Sequence, residues 1–320
     1  MTTEAAFIAA LRTIATSPAA RGLADDAAVL DFGGSCLALT MDAVVEGVHF
    51  LPQDPPETIA WKLVATNVSD LAAKGAVPRG CLLTYPLSMD EAWDTSFLSG
   101  LQAACDTFVI PLLGGDTVRQ PPGTPRSFTL VALGEPASGV AVPSRSGAKA
   151  GDRLWVSAPI GDAGLGLAIL RNERDAQPAH RAALVASYRS PRPNPELGAA
   201  IAPYVTAMMD VSDGLLIDSQ RLAAASQISA VIDLDQIPLS MAFVTVTGDG
   251  PEARLFAASA GDDYCLLFTA PVEATAALQD TAAAHHTVLY PIGRIMDGRG
   301  LSLTWYGEAM PLPHRLGYEH

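Results

Sequence analysis

The chain has 320 residues, 49% hydrophobic and 17% charged, and its 20 basic and 34 acidic side chains give a net charge of −14. That length favours two domains, the composition excludes a disordered chain, and the acidic balance argues against a nucleic-acid surface. A phosphorylated small molecule stays compatible with so acidic a chain if divalent cations lie between the anions, and no apolar run approaches the roughly 18–20 residues of a membrane span.

Residues 4–14 predict an amphipathic helix with Phe7, Ile8, Leu11 and Ile14 on one face; Glu4 before it and Arg12 within it speak against a secretory leader. Strands are expected at 27–31 and 36–42, joined by the turn Phe32-Gly33-Gly34-Ser35. A loop over 43–53 carries Glu46, Gly47 and His49. Asp54-Pro55-Pro56-Glu57 has the form of a capping box, opening a helix that runs to about Ala73 and is stopped by Gly75 and Pro78.

A strand at 81–85 follows, then a second capping box at Ser88-Met89-Asp90-Glu91 and a helix to about Phe108. The next strand, 109–113, is expected to deliver Gly114-Gly115-Asp116-Thr117 at its end, before a proline-rich loop over 120–125 and a long strand at 127–134. The Gly-, Pro-, Ser- and Ala-rich stretch 136–150 predicts the boundary, giving domains at 1–137 and 138–320.

In the second half, strands are expected at 153–157, 206–211, 230–234, 265–269, 288–292 and 301–305. Helices are expected after Gly161-Asp162-Ala163-Gly164-Leu165-Gly166, after Ser212-Asp213-Gly214 to about Ala225, and near 252–259 and 272–284; 172–195 reads as short helices and turns. Strands and helices mix without strict alternation, which favours α+β over a doubly wound sheet. Cys36, Cys81, Cys105 and Cys265 lie far apart with no C-x-x-C pair, as free thiols in a reducing cytoplasm do.

Several chemistries are excluded. There is no G-x-x-x-x-G-K-[ST], so no P-loop, and no H-E-x-x-H or paired cysteines for zinc. Asp31-Phe32-Gly33 lacks the H-R-D loop and V-A-I-K strand of a protein kinase, and the glycines of 161–166 have the wrong spacing for a dinucleotide fingerprint. What remains is hard-cation chemistry. Asp25, Asp26, Asp42, Asp70, Asp116, Asp210 and Asp213 lie at strand ends or in turn-like settings where carboxylates from distant sequence can converge. Singly, an aspartate beside glycine is more often a turn former or a helix cap. Asp70 is different, because it lies inside a helix, where aspartate is unfavourable, among small and apolar neighbours.

Seven motifs occur in an order that resembles the thiamine-monophosphate kinases. They are Asp25-Asp26-Ala27; Thr40-Met41-Asp42 with Glu46-Gly47-Val48-His49-Phe50; the run from Asn67-Val68-Ser69-Asp70 to Lys74-Gly75-Ala76; Gly114-Gly115-Asp116-Thr117; Arg145-Ser146-Gly147-Ala148-Lys149; Asp210-Val211-Ser212-Asp213-Gly214-Leu215; and Gly261-Asp262-Asp263-Tyr264. The closing Gly317-Tyr318-Glu319-His320 is similar as well.

The resemblance implies a two-domain α+β fold of the aminoimidazole-ribonucleotide-synthetase type. Its N-terminal α/β domain would pair with its copy in a homodimer, and a C-terminal α/β domain would complete each site. It implies transfer of the γ-phosphoryl of ATP to thiamine phosphate with Mg2+. By matching positions, Asp26, Thr40, Asp42, Asp70, Asp116, Asp210 and Asp213 are the implied metal ligands. Gly115, Asp116, Arg145 and Ser212 are implied on the ATP side, His49 and Asp262 on the thiamine phosphate side, and Asp42, Asp70, Asp116 and Arg145 in catalysis. Met41 stands where the family often has threonine, Asp262 where glutamate is usual, and no aromatic flanks Arg315; Trp305, Tyr306 and Tyr318 are the available substitutes.

The competing readings are another ATP-dependent member of that superfamily, a magnesium-nucleotide-binding module without turnover, and a metal-dependent phosphatase. No cysteine precedes Cys36 for selenophosphate synthesis, and the chain closes on Tyr318-Glu319-His320 rather than the cysteine of a hydrogenase-maturation protein.

Overall fold

The computed structural model describes residues 4–319 apart from Met89 and Pro122; the Met89 of the second capping box, the Pro122 of the expected loop and the closing His320 lie outside the described residues. The chain opens with helix α1 (Glu4–Leu11). Its expected apolar face is not packed: Phe7, Leu11 and Ile14 are exposed, and Ile14 lies in a turn past the helix end.

Strands β1 (Ala28–Phe32) and β2 (Ser35–Val45) form an antiparallel hairpin. The long helix α2 (Pro56–Ala73) follows, then β3 (Ala76–Leu87), α3 (Glu91–Thr107), β4 (Leu112–Arg119) and β5 (Ser127–Pro136). The five strands are ordered β1-β2-β5-β3-β4, with only β3 and β4 parallel. One face packs on α2 and α3 through Ile59, Leu63, Val64, Val68, Phe97, Leu101, Phe128 and Leu130. The opposite face carries Met41 and Leu82, both exposed, and no element of this chain covers it among the described residues.

Three local expectations are corrected. Pro55, not Asp54, caps α2, and it does so without a side-chain hydrogen bond. Asp54 instead accepts Leu51 N–H at 2.8 Å and pairs at 2.7 Å with Arg189, whose distance in sequence hid the pairing. Asp90 rather than Ser88 caps α3, its carboxylate accepting the N–H groups of Ala92 and Trp93. Finally, β4 begins at Leu112, so Gly114, Gly115 and Asp116 lie inside a strand on the edge of the sheet instead of at a strand end.

The second half contains β6 (Arg153–Val156), α4 (Asp162–Leu170), α5 (Pro178–Arg189), α6 (Pro195–Ile201), β7 (Ala207–Asp210) and α7 (Leu215–Ser226). Then come β8 (Ser229–Asp233), α8 (Met241–Thr247), α9 (Pro251–Ser259), β9 (Leu266–Ala270) and α10 (Thr275–Ala284), and last β10 (Tyr290–Met296), β11 (Gly300–Trp305) and β12 (Glu308–Met310). Its seven strands are ordered β12-β11-β8-β10-β6-β9-β7, with β8 and β11 parallel and the other neighbours antiparallel. Two mixed sheets with segregated helices make the α+β architecture that the sequence predicts. The short α6, α8 and β12 have no counterpart among the expected elements, because a few residues carry too little periodicity to read.

Helix α2 touches both sheets. Its residues from Ile59 to Leu71 fill the core of the first sheet, while Ala72 and Ala73 pack with Trp155, Leu197, Ile201, Met208 and Phe268 of the second. The approach is tight where α6 crosses: a Cβ on Gly198 would lie 2.2 Å from the Ala72 carbonyl oxygen, so only glycine fits. Gly75, at φ 58°, turns the chain out of the helix and faces Ala202. Among the described residues no helix is long and apolar enough to cross a membrane.

Candidate active site

The end of α2 carries the polar groups on which the site is built. Asn67, fully buried, donates from Nδ2 to the Leu63 carbonyl and accepts Asp42 N–H on Oδ1 at 3.1 Å, which pins β2 beside the helix. Ser69 donates its hydroxyl to Asp210 Oδ2 at 2.7 Å, bringing the end of β7 against the same turn. Asp70 accepts a short hydrogen bond from the Thr40 hydroxyl. Carboxylate oxygens of Asp26, Asp70 and Asp210 thereby lie within 4.8 Å of one another.

Such crowding has an electrostatic cost. Burial, then repulsion from Asp42, Asp210 and Asp26, holds the Asp70 carboxyl well above the usual carboxylate range. Burial and then the Asp26 charge push Asp210 up to about 8. Asp42 rises to about 6 through burial and the charges of Asp26 and Asp213. These half-buried and buried acids repel one another and would be stabilised by a cation between them.

Cations of the chain itself meet only one side of the cluster. Lys74, with no exposed surface, pairs with Asp25 and lies 2.7 Å from Asp26 Oδ2. Arg145 approaches Asp26 Oδ1 from Nε at 2.7 Å and from Nη2 at 2.5 Å. Burial works against the charge on Arg145, but Asp26 outweighs it and raises the guanidinium pKa. Burial alone would raise Asp25, yet Lys74 and Arg21 hold it down at about 2. Asp26 Oδ2 is buried and, despite the nearby ammonium, receives no hydrogen bond. An all-oxygen cluster of carboxylates crowded within 4.8 Å suits a hard divalent cation.

The second half supplies the facing wall. Asp218, fully buried, accepts the N–H groups of Ser212, Asp213 and Gly214 at 3.1, 3.1 and 3.2 Å, which shapes the loop between β7 and α7. Arg221 bridges Asp213 at 2.5 Å and Asp218 at 2.9 Å. Asp262 adopts a left-handed φ of 71°, costly for a non-glycine residue, and its N–H donates to the Ser212 carbonyl at 2.7 Å. His49 accepts Val45 N–H on Nδ1 at 3.1 Å, which leaves the ring proton on Nε2.

These groups line one cavity of about 1090 Å³. Of the residues singled out in the sequence, Asp25, Asp26, Asp42, His49, Asp70, Arg145, Asp210, Ser212, Asp213 and Asp262 line it, and Thr40 lies directly behind Asp70. Met41 points to the uncovered face of the first sheet, 66% exposed, so a threonine hydroxyl there would not have entered the cavity. Tyr318 lines the cavity, whereas Trp305, Tyr306 and Arg315 do not.

Gly115 and Asp116 do not join the others. Gly115 is in register with Leu83 on β3, Leu83 with Leu130 on β5, and Leu130 with Asp42 on β2. Three strand spacings of about 4.8 Å separate them, on the order of 14 Å, too far for one ion to reach both. Sequence reasoning passed over Lys62, Lys74 and Asp218, whose partners are distant in sequence or are backbone groups that no motif advertises.

The chain matches the AIR synthase related protein N-terminal domain over residues 24–135 and the corresponding C-terminal domain over 149–306. It is 39% identical to the thiamine-monophosphate kinase of Caulobacter vibrioides over 310 residues, covering 95% of this chain and 86% of that protein. It is 38% identical to the Escherichia coli K12 enzyme of that name over 305 residues, covering 93% of this chain and 91% of that one. Among solved structures, AaThiL complexed with AMPPCP and TMP superposes with a TM-score of 0.84 at 28% identity, over 99% of this chain and 97% of its own.

Proposed function

The chain belongs to the AIR synthase related family, among its thiamine-monophosphate kinases, and we propose that its cavity binds ATP and thiamine phosphate and transfers the γ-phosphoryl between them, giving thiamine diphosphate and ADP. The observation that carries this reading is the convergence of Asp26, Asp70 and Asp210 oxygens within 4.8 Å inside a cavity of about 1090 Å³. Two polyanions can meet in so acidic a place only with cations between them.

Asp26, Asp42, Asp70, Asp210 and Asp213 would hold Mg2+, with the Thr40 hydroxyl beside Asp70, and the crowding of the Asp26, Asp70 and Asp210 oxygens within 4.8 Å supports that fit. When bound, Mg2+ would supply neutralisation of the phosphate charge. The chain itself orients the reactants through the side chains that line the cavity. The acceptor oxygen of thiamine phosphate is already ionised at neutral pH, so no general base has to create the nucleophile, and none is needed among the lining residues. Arg145, steadied by Asp26, faces the charge in transfer, and Ser212 on its Asp218-built loop meets the nucleotide. His49 and Asp262 serve the acceptor side, and Tyr318 offers the aromatic surface for the thiamine ring.

Gly115 and Asp116 act in this reading across a homodimer formed on the uncovered face and edge of the first sheet, where Leu82, Leu112 and Val118 are exposed. The domain division at 137/138 belongs to the same proposal. The four free thiols accord with a reducing cytoplasmic setting. The test incubates the chain with ATP, Mg2+ and thiamine phosphate and resolves the products chromatographically. Thiamine diphosphate and ADP should accumulate in equal amounts; release of inorganic phosphate alone, or ATP binding without turnover, would overturn the assignment.

A further inference from the structure

Helix α2 and its C-cap residue present polar side chains at every fourth position, Lys62, Thr66, Asp70 and Lys74, along one face. Thr66 and Asp70 line the cavity, and Lys74 serves the metal end through Asp25 and Asp26. Lys62 lies eight residues before Asp70, about 12 Å along the axis at ~1.5 Å per residue. It is 2% exposed, too buried for an ammonium without a purpose.

Its surroundings supply one. Lys62 Nζ donates to Asp262 Oδ2 at 2.9 Å and to the His49 carbonyl at 3.0 Å, and lies 4.0 Å from the centre of the Tyr188 ring. Tyr188 donates its hydroxyl to the same His49 carbonyl at 3.3 Å, and Tyr264 donates to Asp262 Oδ1 at 3.0 Å. One ammonium thus ties a loop of the first half to a left-handed residue of the second, the two residues that face the acceptor. Asp262 keeps 23% of its side chain open, so its remaining lone pairs are available to a ligand while its position is fixed from behind.

We propose that Lys62 is the positioning residue of the acceptor end: it holds the Asp262 carboxylate and the His49 loop in the geometry that receives thiamine phosphate, without itself touching the ligand. The inference rests on the acceptor assignment of His49 and Asp262 above. It predicts a division of labour along α2, with Lys62 governing acceptor affinity and Asp70, some 12 Å along the axis, serving the metal cluster.

The test is equilibrium binding of thiamine phosphate, and separately of ATP with Mg2+, to the whole chain by calorimetry. Lys62→Met should weaken thiamine phosphate binding on the order of tenfold, the scale of one lost charge-assisted contact, while ATP affinity stays within about twofold. The double variant K62M/D262N should weaken thiamine phosphate binding by clearly less than the product of the two single effects, because Lys62 acts in part through Asp262 and in part through the His49 carbonyl. That double variant also removes both halves of the ion pair, so it leaves no unpaired buried charge to compromise folding. Equal losses for both ligands, unchanged thiamine phosphate affinity, or additive effects in the double variant would each overturn the role of Lys62. A native chain that binds ATP but not thiamine phosphate would instead refute the acceptor assignment, and the inference with it.

Discussion

Raising the pH from 5 to 7 should destabilise the magnesium-free chain, the reverse of the usual behaviour of a protein held by ionised carboxylates. Asp210 is 2% exposed and its carboxyl is pushed up to about 8 by burial and by Asp26. In the unfolded chain the same group titrates near 3.9. Between those values the folded chain holds a proton that the unfolded chain has lost. The contribution is therefore fully present below the unfolded value and is lost as pH climbs toward 8, at about 1.4 kcal/mol per pH unit. Two units give about 2.7 kcal/mol from Asp210, or roughly 4 °C in Tm at ~2.1 cal/mol/K per residue. Asp42 and Asp218, each raised to about 6 by burial, add to the same trend. Asp25, held at about 2, is ionised throughout this window and contributes no slope. Thermal unfolding in a chelator at pH 5, 6 and 7 reads the effect directly, and Mg2+ at 100 times its Kd should restore about 2.7 kcal/mol. A flat or rising stability without metal would refute the electrostatic reasoning, and an Asp210→Asn variant with an unchanged slope would remove Asp210 from it.

Two further outcomes are expected. Asp70→Asn should lower kcat by about 10²–10³-fold, the scale of losing one preorganised charge-stabilising group, with an unaltered circular dichroism spectrum; native rates would take Asp70 out of the metal site. Leu82→Glu, which puts a charge in the middle of the uncovered sheet face, should convert a dimer to monomers by light scattering and abolish turnover with it, whereas a monomeric parent chain would dispose of the shared-site arrangement.

Local rules made much of the fold readable. The bounds of α2 follow from its prolines, its apolar face and Gly75, and α+β character follows from mixed elements. The aspartates were readable as a set because most sit near a strand end, in a turn or at an odd place in a helix, although Asp42 lies inside β2 and Asp116 inside β4. What failed was nonlocal. Asp54 looks like a cap in its own tetrapeptide, but an arginine 135 positions away claims it. Lys62 meets Asp262 across 200 positions, and Lys74 meets Asp25 across 49, with no periodicity to announce either pair. The reading of 109–113 as a strand followed its apolar residues, whereas pairing with β3 begins only at Leu112, which carries Asp116 out to the edge.

The double-sided burial of α2 also bears on how the chain comes off the ribosome. Ala72 and Ala73 find their covering residues Leu197 and Ile201 only when a further stretch of roughly 120 residues has been made, on the order of 10 s at about 5–20 residues per second. For that interval the last turn of α2 is left without those covering residues. The nascent chain is accordingly a natural client for chaperones that shield hydrophobic surface, and slow codons placed between the two halves would lengthen its exposure rather than help it fold.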